Sequence, residues 1–320
     1  MPKSTLAPGL APSPTELMRS HGAANTTVLD RAWRQGELIR VVPGVYAPVG
    51  GWEALAPWDR YLARVHAVSL ANPGFVFCGA TAAALRGVFL GRQHDPVLIL
   101  DPDRTSRVSG VVRVLTSADQ RAIDEIDGIR LTSAADTAVD VARASSPGAG
   151  LAYVDALMRR TPRLTAAQLR AINESRLSSR NRRRARWALD RATGVPESVL
   201  ESLSLAAMEF AGFELPETQV TFLIDGAEDR IDFFWRSRDL IGEADGAVKY
   251  TGELGDPTKA IVKEKRREAR LLRRASHRIR WGWPELREVD PLIDILRTAR
   301  VPRPLPADPF LLASLRDALH

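Results

Sequence analysis

Residues 240–250 read LIGEADGAVKY. As a strand, this segment puts Glu243 and Asp245 on one face beside Ile241, because side chains alternate along an extended chain. Two carboxylates side by side repel unless a proton or a cation lies between them. Another acid, Asp232, interrupts the apolar run RIDFFW (230–235), on the same face as Arg230 and Phe234. Burying such an acid is costly without a partner. Asp232, Glu243 and Asp245 converging at one end of a small sheet would offer oxygen-only ligands suited to Mg²⁺ or Mn²⁺. An ion held there activates water and neutralises charge in phosphodiester hydrolysis. Lys249 stands just beyond, where an ammonium group could position water or steady negative charge. The bland alternative for the same acids is a solvated or ion-paired cluster with Arg230 and Arg267. Glu201 also has two readings, as an assistant to this centre or as the last residue of the capping box Ser198-x-x-Glu201.

The elements that must position these residues are legible around them. ESVLESLSLAAMEFAGF is helical, and QVTFLI (219–224), RIDFFW (230–235) and LIGEAD (240–245) are short strands joined by the polar stretches DGAED and RSRD. A basic helix AIVKEKRREARLLRRAS follows, then a strand HRIRWGW and a short helix PELREV. The expected order is α-β-β-β-α-β-α, opening with an antiparallel meander.

The 320 residues suffice for two or three domains. The single cysteine, Cys78, excludes an intramolecular disulfide and a cysteine-based zinc site. No apolar stretch reaches the ~18 residues of a membrane span, and the N-terminus lacks the apolar block of a secretory signal. A cytoplasmic protein without a membrane partner is the expectation. The formal charge of +6 fits a phosphate-rich partner, DNA above all. Of 45 basic residues only Lys3, Lys249, Lys259, Lys263 and Lys265 are lysines. Four of the five crowd into 249–265, either as a place where arginine, whose charge cannot be moved, would not serve, or as one helix that is lysine-rich by chance. His66 and His94 have no spaced partners and are read as structural or exposed.

Earlier in the chain, TELMRSH predicts a short helix and NTTVLDRAWRQ a second one capped by Asn25 or Thr26. GELIRVVPGVYAP (36–48) predicts a hairpin about Pro43-Gly44 with Arg40 on its first strand. This outline is a winged helix, with a helix for the major groove and a wing for the backbone, or else a helical cap and hairpin packed on the next domain. A mixed α/β stretch follows, in which Ser133 caps a helix after the strand GIRLT. The stretch SRLSSRNRRRARWALDRAT carries Arg176, Arg180, Arg182, Arg183, Arg184, Arg186 and Arg191. It is read as a solvated face or as a surface that tracks phosphates.

Taken together, GEADGAVKY, RIDF with Asp232, the helix of Glu201, Gln219, KEKRREARLLR and RIRWGWPEL make residues 197–287 resemble the PD-(D/E)XK nuclease superfamily. The similarity is to its DUF559-type subgroup, related to the very-short-patch-repair endonuclease. The resemblance implies a restriction-endonuclease-like α/β fold that cleaves DNA with a divalent metal. It makes Asp232 and Glu243 metal ligands, with Glu201 assisting. Asp245 departs from that pattern, since it stands where the motif lysine belongs. The lysine role would then pass to Lys249, Lys263 or Lys265, or the activity is altered or lost. RQGELIRVVPGVYAP, FCGATAAALRGV and DGIRLTSAADTAVDVA resemble AbiEi-type antitoxin regulators of type IV toxin–antitoxin systems over residues 14–160. That resemblance implies promoter binding by a winged helix and a cognate toxin as partner.

The combined expectation is an α/β multi-domain chain. It has a disordered leader (1–13), a shortened winged-helix-like domain (14–50), an AbiEi-like mixed domain (51–150), a basic helical connector (151–195), a nuclease-like domain (196–300), and a Pro-rich linker with a C-terminal helix (301–320). Its leading function is metal-dependent DNA cleavage, with Arg40, Arg180, Arg182, Arg183, Arg184, Arg186, Lys263 and Lys265 on nucleic acid. The alternative is an antitoxin or DNA-binding regulator with a silent nuclease-like domain.

Overall fold

The computed structural model describes residues 9–20, 22–90, 95–101, 103, 105–246, 267, 269–271, 273, 275 and 277–319. The chain divides into two compact units, one made of residues 1–144 and 160–189 and the other of 145–159 and 190–320. In chain order the first half runs β1 (Met18–Arg19), α1 (Gly22–Arg34), β2 (Leu38–Val42), β3 (Val45–Pro48), α2 (Val49–Glu53) and α3 (Pro57–Ala71). It continues with β4 (Val76–Phe77), α4 (Gly79–Leu85), β5 (Val97–Leu100), β6 (Arg107–Ser109), β7 (Val112–Leu115), β8 (Ile123–Ile126) and β9 (Ile129–Thr132). Helices α5 (Ala134–Ala144), α6 (Pro147–Arg160), α7 (Ala166–Ser175), α8 (Arg182–Arg191) and α9 (Val199–Phe210) follow. The C-terminal part holds β10 (Glu217–Ile224), β11 (Ala227–Trp235), β12 (Leu240–Ala244), β13 (His277–Trp281), α10 (Trp283–Glu288), α11 (Asp290–Thr298) and α12 (Pro309–Leu319).

The first unit carries two sheets. The smaller has the order β1-β3-β2 and closes around the turn at Pro43-Gly44, where Gly44 has φ +79°. Residues 18–19 of the expected first helix form a strand instead, paired with Val45 and Tyr46. The larger sheet has the order β6-β7-β5-β4-β9-β8 and mixes parallel and antiparallel pairs. Tyr61, Val65, Phe77, Leu85, Ile99 and Leu131 are buried together between it and helix α3 with α4. The Tyr61 hydroxyl is satisfied inside this core by Thr81 Oγ1 at 2.6 Å. Ser133 caps α5, accepting from the Asp136 amide at 3.1 Å, as its position predicted. Residues 9–13 of the expected leader are ordered. Leu10 packs on the core, and the Ala11 carbonyl is hydrogen-bonded to His66 Nε2 at 2.8 Å.

The expected connector 151–195 is divided between the units. Arg176 is buried against Asp136 of α5, so α7 and most of α8 belong to the first unit. Most of α6 belongs to the second, where Asp155 accepts from the amides of Thr193 and Gly194, each at 2.9 Å, and from Ser202 Oγ at 2.8 Å.

In the second unit the sheet order is β10-β11-β12-β13, antiparallel until β13 joins parallel to β12. The meander is tighter than the sequence suggested. Asp225 and Gly226 alone make the first turn, both with positive φ, which is the two-residue hairpin that Asp-Gly favours. Gly242 is required mid-strand because a Cβ there would come within 2.8 Å of Trp235 and 3.0 Å of Trp281. Those indoles seal the face toward α9, where Trp281 Nε1 donates to Ser204 Oγ at 2.8 Å.

Candidate functional site

The acids singled out by sequence come from α9, β11 and β12, and the structure gives each a different environment. Glu201 sits in the first turn of α9 and is buried. Its Oε1 accepts from Ser198 Oγ at 2.8 Å, and its amide donates to the same hydroxyl oxygen at 3.2 Å, so Ser198 caps the helix. The Glu201 carboxylate accepts from the Glu197 amide at 2.8 Å instead of the Ser198 amide that a capping box would use. Its Oε2 also accepts from Gln219 Nε2 at 2.7 Å, so capping is only part of its role. That same Gln219 nitrogen donates to Asp232 Oδ1 at 3.2 Å and thereby bridges the two carboxylates. Gln219 holds φ at +54°, a conformation uncommon for residues other than glycine.

Asp232 completes its shell with the Ala244 amide, which donates to Oδ2 at 2.9 Å. Burial pushes its pKa up from 3.8 to about 6, against the Ala244 bond and with Glu201 and Glu243 adding to the rise. The groups that oppose the rise, the Ala244 amide and Gln219, are both neutral.

Glu243, on the adjoining strand, is 3% exposed and surrounded by guanidinium groups. Oε1 meets Arg267 at 2.8 Å. Oε2 accepts from Arg278 Nε at 2.8 Å and from Arg280 Nε at 2.9 Å, with a further bond from Arg278 Nη2. The parallel register that sets Glu243 opposite Arg280 makes this arrangement, since Arg278 and Arg280 share a face of β13. Asp245, half exposed, lies 3.6 Å from Arg280.

These residues do not fit a divalent cation. A metal needs the Glu243 oxygens as ligands, and both are engaged by positive charges that would repel it. Among the described residues no group of three or more His, Cys, Asp or Glu is placed to hold a metal. Among the described residues, Asp232, Glu243 and Asp245 are not brought together as the expected ligand set. Asp232 and Glu243 are neighbours, but Glu243 and Asp245 belong to an arginine cluster. Arg267 was foreseen as a partner; Arg278 and Arg280 were not, although their spacing on HRIRW is a signal for two cations on one face. Arg230 pairs with Glu197 at 2.5 Å instead of with these acids. Lys249, Lys263, Lys265 and His94 lie outside the described residues.

The expected nucleic-acid residues also separate. Arg40 is exposed and stacks over Trp33 at 4.7 Å. Arg182 is tucked back onto the carbonyls of Arg176 and Ser178, and Arg186 pairs with Glu174 at 2.7 Å. Arg180, Arg183 and Arg184 are exposed.

The comparisons with known proteins bear on the first unit most directly. Residues 75–191 match the model of the AbiEi antitoxin C-terminal domain. That span runs past the end of the resemblance seen in sequence and takes in the arginine-rich helix α8. The chain is 31% identical over 245 residues to the Mycobacterium tuberculosis proteins Rv2248 and MT2308, covering 76% of this chain and 84% of each relative. A crystal structure of the RV2827C protein from the same species aligns with 53% of this chain and 66% of its own, at 21% identity and a TM-score of 0.33. Among the described residues, no helix is long and apolar enough to cross a membrane. The chain belongs to the family of the mycobacterial proteins Rv2248 and MT2308, and its residues 75–191 are an AbiEi antitoxin C-terminal domain.

Proposed function

We propose that this protein is an antitoxin-type regulator that binds DNA through its N-terminal helix and hairpin, restrains a protein toxin, and carries a nuclease-shaped C-terminal unit without metal chemistry. The match of residues 75–191 to an antitoxin domain carries this reading. The enclosure of Glu243 by Arg267, Arg278 and Arg280 supports the loss of nuclease chemistry.

For DNA, the supporting feature is the outward side of α1. Val28, Arg31 and Arg34 are exposed, and Arg40 on β2 stands over Trp33 beside them. Asp30, the acid of this helix, accepts from the Tyr46 hydroxyl at 2.5 Å, which anchors the helix to the hairpin. One helix precedes the hairpin among the described residues, so any groove reading falls to α1, with the β2–β3 turn along the backbone.

Two experiments on the full chain test the proposal. Retardation of the duplex upstream of its own coding sequence should weaken on Arg31→Ala and Arg34→Ala. The salt slope should fall by about one for each phosphate that an arginine no longer neutralises. Supercoiled plasmid with Mg²⁺ or Mn²⁺ should stay intact. Nicking that disappears in both Glu243→Gln and Asp232→Asn would replace this reading with the nuclease one.

A further inference from the structure

The loop between α7 and α8 lies at the surface yet is held from several sides. Arg176 is 5% exposed, ion-pairs with Asp136, and donates from Nη1 to the Gln120 carbonyl at 2.5 Å. The following amide, of Leu177, donates to Asp119 Oδ1 at 2.6 Å. Arg143 Nη1 donates to the Ser178 carbonyl at 2.7 Å, and Asn181 Nδ2 returns a bond to the Arg143 carbonyl at 2.8 Å. Asn181 takes φ +57°, which asparagine tolerates better than most residues.

What this framework carries outward is a leucine among arginines. Leu177 is 77% exposed, and Arg180, Arg183 and Arg184 are exposed around and after it. Arg183 and Arg184 fall in the first turn of α8, where the helix dipole opposes positive charge. Helix stability therefore does not account for them. Arg186, further along the helix, already pairs with Glu174.

A segment fixed this firmly loses little freedom when it binds. Arginine is enriched at protein interfaces, and its exposed charge selects acidic partners and speeds their approach. A phosphate backbone recruits the arginines equally well but offers a bare leucine no apolar surface to pack on. The combination favours protein over nucleic acid.

We propose that the α7–α8 loop and the first turn of α8 form the docking surface for an acidic protein. Leu177 enters an apolar recess on that partner, and Arg180, Arg183 and Arg184 meet carboxylates around the recess. The proposal rests on the antitoxin reading only in expecting a protein partner, and uses neither α1 nor DNA.

The test places a photoreactive amino acid at position 177 of the full chain, in its own host cells, and divides the adduct between protease and nuclease digestion. The expected adduct is protein, identified from its peptides and then purified. That partner should bind the parent chain and lose on the order of ten-fold or more in affinity for Leu177→Asp and for Arg183→Glu with Arg184→Glu. The milder pair Arg183→Gln and Arg184→Gln should lose less, and all variants should melt with the parent. A nuclease-sensitive adduct, no adduct, or a captured protein whose affinity ignores these substitutions overturns the proposal. DNA retardation measured on the same variants keeps the two readings apart. If docking fails while DNA binding depends on Arg31 and Arg34, the regulator survives and this surface does not.

Discussion

Asp232 and Glu243 occupy adjacent strands of one sheet, and their surroundings are opposite. Glu243 is sunk among Arg267, Arg278 and Arg280 and is hydrogen-bonded or ion-paired to all three. Asp232 is held by an amide and a glutamine, neither charged, and its pKa rises to about 6. A metal-dependent nuclease would need both carboxylates open to one ion. Here one carboxylate is a counter-ion to three arginines, while the other is desolvated beside neutral donors. The difference teaches that residue type and strand position do not define a metal site. The cations on the next strand decide it.

Replacing each acid by its amide should break the symmetry of the pair most visibly. Glu243→Gln leaves Arg278, only 7% exposed, without its counter-charge. Loss of one member of a buried pair costs about 3–5 kcal/mol. Urea unfolding of the full chain should show that loss in the transition of the second unit, and an unchanged midpoint would refute the buried-cluster account.

Asp232→Asn should act in the other direction. Its folded pKa of about 6 lies above the ordinary 3.8, so the folded state binds the proton more tightly. The penalty is absent below the unfolded pKa, grows as pH rises from about 4 to 6, and is complete at neutral pH. Discounted for partial exposure, it amounts to about 1–2 kcal/mol. An asparagine nitrogen cannot accept from the Gln219 or Ala244 donor, which costs the variant a pH-independent amount. Relative to the parent it should therefore gain about 1–2 kcal/mol between about pH 4 and pH 7, on top of this constant offset. A parallel pH profile for the two proteins would show that Asp232 is not desolvated as described.

Much of the frame was legible in advance. The strand meander, β13 and the helix of Glu201 follow from alternation, from Asp225-Gly226 and from the Ser198 cap, which are local signals. Ser133 was legible for the same reason. What escaped was set by pairing between distant segments. The strand at Met18 exists because β3 offers it an edge, and hydropathy over so short a segment cannot announce that. Edge strand β6, with Arg107, Val108 and Ser109 all exposed, has no buried face to leave an alternating trace. Arg176 looked like one more arginine of a basic run. Its burial depends on Asp136, forty positions away on another element. The arginine cluster escaped on the same ground, because the parallel register of β12 with β13 brings Arg280 against Glu243, and register is not written in either strand alone.

The finest test lies within the arginine cluster itself. Arg278 and Arg280 approach the same oxygen at similar distances, 2.8 and 2.9 Å, but Arg280 is 40% exposed. Water already solvates its charge in part, so the pair it forms is closer to a surface ion pair, worth about 1 kcal/mol or less. Arg280→Ala should therefore cost little in urea, and the small cost should shrink further in molar salt. It should not confer metal binding, because Arg267 and Arg278 still occupy both oxygens of Glu243. A Mn²⁺-dependent rise in melting temperature for Arg280→Ala alone would show that one exposed guanidinium, and not the buried pair, is what stands between this sheet and a metal.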